Sequence, residues 1–275
     1  MLRSFTKNVS ATAGAAVLLL CLVCALFAPL IAPYDPIVQN TSNRLKGPTK
    51  DHWLGTDDFG RDTLSRVIYG SRTSMLVGLV ATSIGLTIGA ALGILAGFAG
   101  GKTDQLTMRA MDILLSFPYI LLAIVIMALL GPGISNLIIA IGVSRVPAFA
   151  RVSRSIVLSI KNNEYIEAAR SLGGSDSRIL SKHILPNVLP PLIVQGTASL
   201  AEAIVTAASL NFLGLGIQPP TPDWGAMVSD GRRYIFDKYY IPLFPGLAIT
   251  VVVLSMNLLG DWLRDVFDPR QRQAV

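Results

Sequence analysis

A polar segment, EYIEAARSLGGSDSRILSKHILPNVLPP from Glu164 to Pro191, interrupts the long apolar runs of this chain. Its pattern predicts two short helices that lie outside the lipid. Asn162 and Asn163 can each cap the first helix, and Gly173-Gly174 supplies the left-handed residue that commonly ends such a helix. Pro186 is expected to end the second helix, because proline lacks an N–H and clashes with the preceding turn. The segment therefore predicts a helix, a sharp turn and a second helix between two membrane spans.

The first of these helices has two distinguishable faces. Helical spacing places Tyr165, Ala168, Ala169 and Leu172 on one face, while Glu164, Glu167, Arg170 and Ser171 cover much of the rest. On this pattern alone, a solvated loop between transmembrane helices is as good an interpretation as a docking surface.

The order of particular residues favours the docking surface. The run Glu167-Ala168-Ala169, then Gly173, then Leu185-Pro186 resembles the EAA signature of permease subunits in binding-protein-dependent ABC importers. His183 departs from the general pattern, which has an apolar residue two positions before Leu-Pro. The resemblance implies a coupling helix that docks on a separate ATPase subunit. The residues implied in that contact are Glu164, Glu167, Ala168, Ala169, Arg170, Gly173, Leu185 and Pro186.

The composition is that of an integral membrane protein. Of 275 residues, 52% are hydrophobic and 15% are charged, whereas soluble domains carry about 25% charged residues. Charges are absent between Lys7 and Asp35, between Arg72 and Lys102, and between Asp112 and Arg145. Each gap exceeds the roughly 20 apolar residues that span a bilayer as a helix. These features predict an all-α integral membrane fold.

The apolar runs predict six transmembrane helices. We place them at residues 9–32, 73–101, 113–130, from 134 onward, 188–212 and 239–260. The resulting division is a tail at 1–8, the first helix at 9–32, a loop at 33–72, a permease core at 73–268 whose polar coupling loop covers about 155–187, and a tail at 269–275. A cleaved signal peptide is the alternative for the first run, but its apolar core is longer than the roughly 7–15 residues of a signal.

Several details of these spans are also predicted. Leu64, Val67 and Ile68 begin an amphipathic segment that we expect to lie on the membrane surface. Residues 104–112 are expected to form a brief polar turn, and the third span is expected to kink near Pro118.

Glycines recur at every fourth position in the second span, at Gly85, Gly89, Gly93, Gly97 and Gly101. This spacing puts a smooth ridge on one helix face, where another helix backbone approaches closely. Beside it, AGFAGGKT at residues 96–103 matches a relaxed phosphate-binding loop. Such a loop follows a strand, and this one follows an apolar helix. We therefore expect the chain itself to bind no ATP.

Glu202 is the acidic residue that falls deep within an apolar run, in the fifth span. A carboxylate within a membrane span indicates a functional role, here on a translocation path. A structural role, in which the carboxylate bonds to a neighbouring helix or faces a water-filled cavity, is the alternative. Arg145, Arg151 and Arg154 follow near the far end of the fourth span, where they suit lipid phosphates or acidic groups on the ATPase.

The sequence offers no catalytic or metal-binding constellation. Its two histidines, His52 and His183, fall in different polar loops. Cys21 and Cys24 have C-x-x-C spacing, yet they lie inside the first apolar run, where nothing favours a thiolate. The net charge of +6 is not arranged as the basic, aromatic-interleaved stripe of nucleic-acid-binding proteins. We expect neither an enzyme nor nucleic-acid binding.

Two further motifs resemble the dipeptide and oligopeptide branch of these importers. They are HWLGTDDFGRD at residues 52–62 and LNFLGLGIQPPTPDWG at residues 210–225. The resemblance, which covers about residues 52–268, implies the type I importer permease fold with a cytoplasmic coupling helix and a di- or oligopeptide substrate. A nickel permease or another small-solute permease of the same family, such as one for glutathione, is the alternative. A secondary transporter is a further one, although it would show more charged residues at mid-membrane.

The resemblance also implies partners and orientation. A homologous permease subunit would complete the pore, two ATPase subunits would hold ATP and Mg²⁺, and a soluble or lipid-anchored binding protein would deliver the substrate. Six spans put both termini on one side of the cell's inner membrane. If that side is the cytoplasm, 14 Lys and Arg residues lie inside and 9 outside, as the positive-inside rule prefers.

Overall fold

The computed structural model describes residues 8–267, and within them the chain is helical and forms no strand. The helices are α1 Val9–Ile31, α2 Thr63–Ala99, α3 Gly101–Leu115, α4 Tyr119–Leu130, α5 Ile134–Ile160, α6 Glu164–Ser171, α7 Asp176–Ile179, α8 Leu185–Phe212, α9 Trp224–Gly231 and α10 Tyr240–Phe267. Short 3₁₀ turns cover Thr41–Asn43 and Arg232–Tyr234, and a π-helical turn, Leu180–Ile184, joins α7 to α8. The predicted tails lie outside the described residues, except for Asn8, whose side chain caps α1.

The helices include five that are long and apolar enough to cross a membrane. These are α1, α2, α5, the continuous α7–α8 helix and α10. Helices α3 and α4 meet at a bend of 88° and make a sixth crossing if they are counted as one broken span. The predicted all-α membrane fold is confirmed. The predicted kink near Pro118 is in fact this sharp break.

Helices α2 and α5 pack along the glycine ridge. A Cβ atom added to Gly89 would lie 2.6 Å from the Cβ of Phe149, and one added to Gly93 would lie 2.1 Å from the carbonyl oxygen of Ala150. Side chains at these positions would force the two backbones apart. Gly85 and Gly97 make similar approaches to Arg145 and Val157, whereas Gly101 lies beyond the end of α2 and faces open space. The ridge therefore seats a helix of the same chain.

The predicted loop at residues 33–72 is too long. Asp62 caps α2 by accepting a hydrogen bond from the backbone N–H of Ser65 at 2.8 Å, and the helix begins at Thr63. The predicted surface segment from Leu64 to Ile68 is therefore wrong, because these residues form the first turns of α2. The polar side chains at the start of α2, those of Thr63, Ser65 and Arg66, are buried beneath loops of the protein and do not face lipid head groups.

Those loops, residues 33–62 and 213–239, form a polar cover over one end of the bundle, which we call the loop layer. Arg66 of α2 donates to the carbonyl oxygen of Pro36 at 2.9 Å and lies within 3.4 Å of that of Pro220. Asp223 accepts hydrogen bonds from Ser74 and Asn211 at 2.9 and 2.6 Å. Burial raises the pKa of the Asp223 carboxyl above its usual range, and these hydrogen bonds oppose that shift.

At the opposite end of the bundle, the predicted polar turn at residues 104–112 is wrong, since these residues belong to α3. Two of its charged residues, Asp104 and Asp112, pair with arginines of α5. Arg154 binds Asp104 through Nη2 and Oδ2 at 2.6 Å, and Arg151 binds Asp112 at 2.7 Å. We expected these two arginines to meet lipid phosphates or a partner; the structure pairs both with α3, and the Arg151–Asp112 pair stays exposed.

Candidate functional site

Helix α6 is attached to the membrane bundle through one buried side chain. Within α6 only Ile166 is buried, with no exposed surface. It belongs to an apolar cluster whose other buried members are Phe149, Val157, Ile179, Ile184, Val188 and Leu192. These residues come from α5, α7, the π-helical turn and α8. The cluster therefore packs α6 against both long helices.

The expected apolar face of α6 is therefore different from the observed one. Tyr165 is 44% exposed and Leu172 is 89% exposed. Most of the residues expected to contact an ATPase are exposed, and only Ala169 is partly buried. The exposed ones are Glu164, Glu167, Ala168, Arg170 and Gly173, together with Leu185 and Pro186 at the start of α8. Sequence reasoning missed Ile166, although it is the aliphatic residue inside the first turn of the EAA helix.

A Schellman motif ends α6 at the glycine pair. The N–H of Gly174 donates to the carbonyl oxygen of Ala169 and the N–H of Gly173 to that of Arg170, both at 3.0 Å. Gly173 adopts a left-handed φ of 79°, as the sequence predicted from its position. The turn directs the chain from α6 into α7 and so fixes the angle between the two helices.

Pro186 does not end the second helix, which contradicts the prediction. The N–H of Leu185 donates to the carbonyl oxygen of Leu180 in a π-helical hydrogen bond five residues long. This wider turn accommodates Pro186 in the first turn of α8, where a missing N–H is tolerated. The expected polar loop at about 155–187 is also shorter than predicted, because α5 continues to Ile160 and the helix that leads into α8 begins at Asp176.

The two halves of the EAA signature meet in space. The rings of Tyr165 in α6 and His183 in the π-helical turn lie 6.1 Å apart between centroids. His183, which departs from the general signature, thus sits beside the EAA helix and just before Leu185-Pro186.

Glu202 forms an ion pair within the membrane region. Its carboxylate accepts a hydrogen bond from Nη1 of Arg145, a residue of α5. The side chain of Arg145 is 8% exposed and that of Glu202 is 55% exposed. The expectation that Arg145 meets head groups is wrong, since it lies inside the bundle. Glu202 presents its carboxylate on the open face of α8, beside exposed Ala198 and Val205.

The remaining candidate groups have structural roles. His52 lies 2.9 Å from Asp62 through Nδ1 and 4.8 Å from the ring of Tyr34, inside the loop layer. Residues 8–267 contain no group of three or more side chains that could hold a metal ion. Residues 96–103, which resemble a phosphate-binding loop, connect α2 to α3.

Comparisons with known proteins agree with this architecture. Residues 89–273 match the family model "Binding-protein-dependent transport system inner membrane component", and residues 1–48 match "N-terminal TM domain of oligopeptide transport permease C". The inward-facing MetNI methionine ABC transporter has a similar fold, with a TM-score of 0.62 at 21% identity over 74% of this chain and 98% of that chain.

Similar relatives span almost the whole chain. The dipeptide transport system permease protein DppC of Alkalihalophilus pseudofirmus is 46% identical over 98% of this chain and 89% of its own length. The di/tripeptide transport system permease protein DppC of Pseudomonas aeruginosa is 45% identical over 99% and 92%. The glutathione transport system permease protein GsiD of Pectobacterium atrosepticum is 44% identical over 98% and 89%. With its helical membrane bundle, its EAA segment and these matches, the chain belongs to the family of binding-protein-dependent transport system inner membrane components.

Proposed function

We propose that this chain is one of two permease subunits of an ATP-driven ABC importer that carries di- and oligopeptides. The observation that carries the proposal is the exposed helix α6, fixed to the bundle through Ile166, in a chain of this family. Relatives named for dipeptide and di/tripeptide transport, at 45–46% identity over nearly the full length, favour peptides as the substrate.

The importer would contain a homologous permease subunit, two ATPase subunits and a soluble or lipid-anchored binding protein. ATP and Mg²⁺ would bind to the ATPases, and this chain would perform no bond chemistry. Each ATPase would hold a coupling helix such as α6 on its surface. When the ATPases close, α6 would move, and the cluster around Ile166 would carry that motion to α5 and α8. These helices bear Arg145 and Glu202, which we place on the translocation path.

This mechanism requires α6 and both termini to lie in the cytoplasm and the loop layer to lie outside. Single cysteines at Ser177 and Thr221, in a chain lacking Cys21 and Cys24, test the arrangement. The cysteine at 177 should react with a membrane-impermeant maleimide only in inverted vesicles, and the one at 221 only in intact spheroplasts. Labelling of both from the same side contradicts the six-span orientation.

Substrate uptake tests the peptide assignment. A strain that lacks the gene should lose import of labelled dipeptides and regain it when the chain is restored with its partner subunits. Glutathione is the second candidate, because a glutathione permease is 44% identical, and nickel is included as the other small solute. Restoration of glutathione or nickel uptake without dipeptide uptake would overturn the assignment.

A further inference from the structure

The pair formed by Arg145 and Glu202 lies near the middle of the membrane. Arg145 follows the first residue of α5 by eleven positions, which is about 17 Å of helix. Glu202 precedes the last residue of α8 by ten positions, about 15 Å. The start of α5 lies beside the segment that follows α8, because the N–H of Gly133 donates to the carbonyl oxygen of Gly216 at 3.1 Å. Taking this end of the two helices as one edge of the hydrocarbon layer, which is about 30 Å thick, we place both charges at about half its depth.

Arg145 is enclosed by protein. Its guanidinium carbon lies 4.1 Å from the ring centroid of Tyr119, and the ridge of α2 at Gly85 closes over its Cβ. Nevertheless, its Nε and Nη2 atoms are buried without a hydrogen-bond partner among the described residues. A buried guanidinium with free N–H groups is costly unless a further acceptor satisfies it.

The surroundings of Arg145 favour an anion as that acceptor. Tyr119 is the first residue of α4, where the broken third span begins again after Pro118. The positive end of a helix dipole therefore lies in the same region as the guanidinium. Breaks of this kind at mid-membrane present helix N-termini to anionic substrate groups in other transporters. A carboxylate, that of Glu202, already occupies one edge of the guanidinium.

Glu202 is held more weakly than Arg145. It contacts Arg145 through a single Nη1–Oε2 pair, and more than half of its side chain is exposed. A carboxylate at this depth is unfavourable in lipid, so the face of α8 that carries it must border water or a protein partner. Rotation of the glutamate side chain would open the guanidinium to a second carboxylate from that face.

We propose that Arg145 binds the carboxylate of the peptide in transit and that Glu202 is the counter-ion which the peptide displaces. The inference rests on the peptide-import function proposed above and deepens it. A dipeptide in neutral water carries one carboxylate and one ammonium group. Arg145 receives the carboxylate in a charge-assisted hydrogen bond, and the displaced Glu202 attracts the ammonium group. When the peptide leaves, Glu202 returns to Arg145 and neutralises the empty site.

The experiment compares Ala-Ala with its C-terminal amide, which lacks the carboxylate. Import is measured in proteoliposomes containing the complete importer, and each rate is divided by the amount of peptide-loaded binding protein. Because every variant uses the same binding protein, a change in the acid-to-amide ratio arises in the permease. The variants are Arg145→Gln, Arg145→Lys, Glu202→Gln and the control Arg151→Gln, which removes an exposed arginine of the same helix.

The wild-type importer should prefer the acid by about tenfold, the factor that corresponds to roughly 1.4 kcal/mol of charged hydrogen bonding. Arg145→Gln should lower import of the acid far more than import of the amide, so that the preference for the acid is lost. Glu202→Gln and Arg151→Gln should keep the preference. If Arg145→Gln fails to assemble with the ATPases, Arg145→Lys decides, and a reduced preference for the acid supports the proposal.

Three results would overturn it. The first is a wild-type importer without preference for the acid, and the second is an Arg145→Gln importer that loses both rates equally, which would make the pair structural. The third is an unchanged preference in Arg145→Lys where Arg145→Gln does not assemble. A wild-type importer that carries neither peptide overturns the proposed function itself, and this inference with it.

Discussion

The loop layer and the α6 segment, residues 161–175, are both polar and both lie outside the apolar spans, yet they treat their polar groups in opposite ways. The loop layer buries Asp223 and covers Arg66, and it bonds both within the chain. The α6 segment leaves Glu167 and Arg170 exposed and is anchored by the buried Ile166.

This difference lies in how each region satisfies its polar groups. The buried polar groups of the loop layer are satisfied inside the chain and need no partner. The α6 segment instead exposes Glu167, Arg170 and the apolar side chain of Leu172, which is 89% exposed. Exposed apolar residues occur in the loop layer as well, at Trp53 and Phe236, so the contrast rests on the polar groups alone. Changes in the loop layer should therefore reduce the stability of the protein. Changes in the α6 segment should reduce transport with a smaller effect on overall stability.

The largest loss of stability is expected from Asp223→Ala in the loop layer. The change leaves the donors of Ser74, Asn211 and the Ala226 backbone without their acceptor. At roughly 1–3 kcal/mol for each buried donor, the free energy of unfolding should fall by about 3 kcal/mol or more. Thermal unfolding of the purified complex in detergent measures it. The control is Asp237→Ala, which removes an exposed carboxylate of the same loop. Equal melting temperatures for both variants would contradict the self-contained cover.

A loss of stability confined to one region is expected from Ile166→Ala. Truncating a fully buried isoleucine costs about 2–5 kcal/mol, and here the cost should appear as local release of α6. Proteolysis within residues 161–175 should accelerate while the bundle stays intact, and import should fall severely. The matched control is Leu172→Ala, which truncates an exposed side chain of the same segment.

Leu172→Ala should leave resistance to proteolysis unchanged and weaken only the recovery of ATPases on pull-down. If Ile166→Ala and Leu172→Ala accelerated proteolysis equally, Ile166 would not be the anchor of α6.

A still smaller effect on stability is expected from Gly173→Val. The left-handed φ of 79° disfavours a β-branched residue by about 1–2 kcal/mol, and no atom lies within 4 Å of the added Cβ. The effect is therefore backbone strain, which should change the angle between α6 and α7 and lower import. Gly173→Asn is the control, since asparagine tolerates this conformation. Import by Gly173→Asn should stay near that of the wild type; equal loss in both variants would indicate that the side chain itself blocks docking.

The sequence predicted the parts of the fold that depend on local chemistry. Long charge-free runs predicted the membrane helices, the four-residue glycine period predicted close packing, and Gly173 marked its left-handed turn. It failed where one part of the chain depends on a distant part. Asp104 and Asp112 looked like a polar turn because their partners, Arg154 and Arg151, lie about forty to fifty residues away.

Contacts between distant parts of the chain also explain why some site residues were predicted wrongly. The isolation of Glu202 in an apolar run predicts a special role for it, but the position of Arg145 toward the far end of its span predicts contact with lipid phosphates or the ATPase and not with Glu202. The helix that continues through Pro186 could not be foreseen, because a π-helical turn compensates for the proline and leaves no strong sequence signal. The depth of a charge and the register of a helix are set by tertiary packing.

The smallest effect on stability, and the sharpest test of the comparison, is expected from Glu167→Lys. Glu167 lies exposed in the first turn of α6, where an acidic residue is favoured by the helix dipole. Reversing its charge should change the free energy of unfolding by less than about 1 kcal/mol. If the exposed face of α6 docks on an ATPase, import should nevertheless fall at least about tenfold, and ATP hydrolysis should lose its stimulation by loaded binding protein. The binding protein's affinity for peptide should not change, because α6 does not contact substrate.

The control is the neutral variant Glu167→Gln, whose import rate should fall between those of the wild type and Glu167→Lys if charge governs docking. Uptake and stimulated hydrolysis are measured for each variant at matched membrane levels. Wild-type import by Glu167→Lys would make α6 a solvated loop and would remove the main structural support for the coupling role.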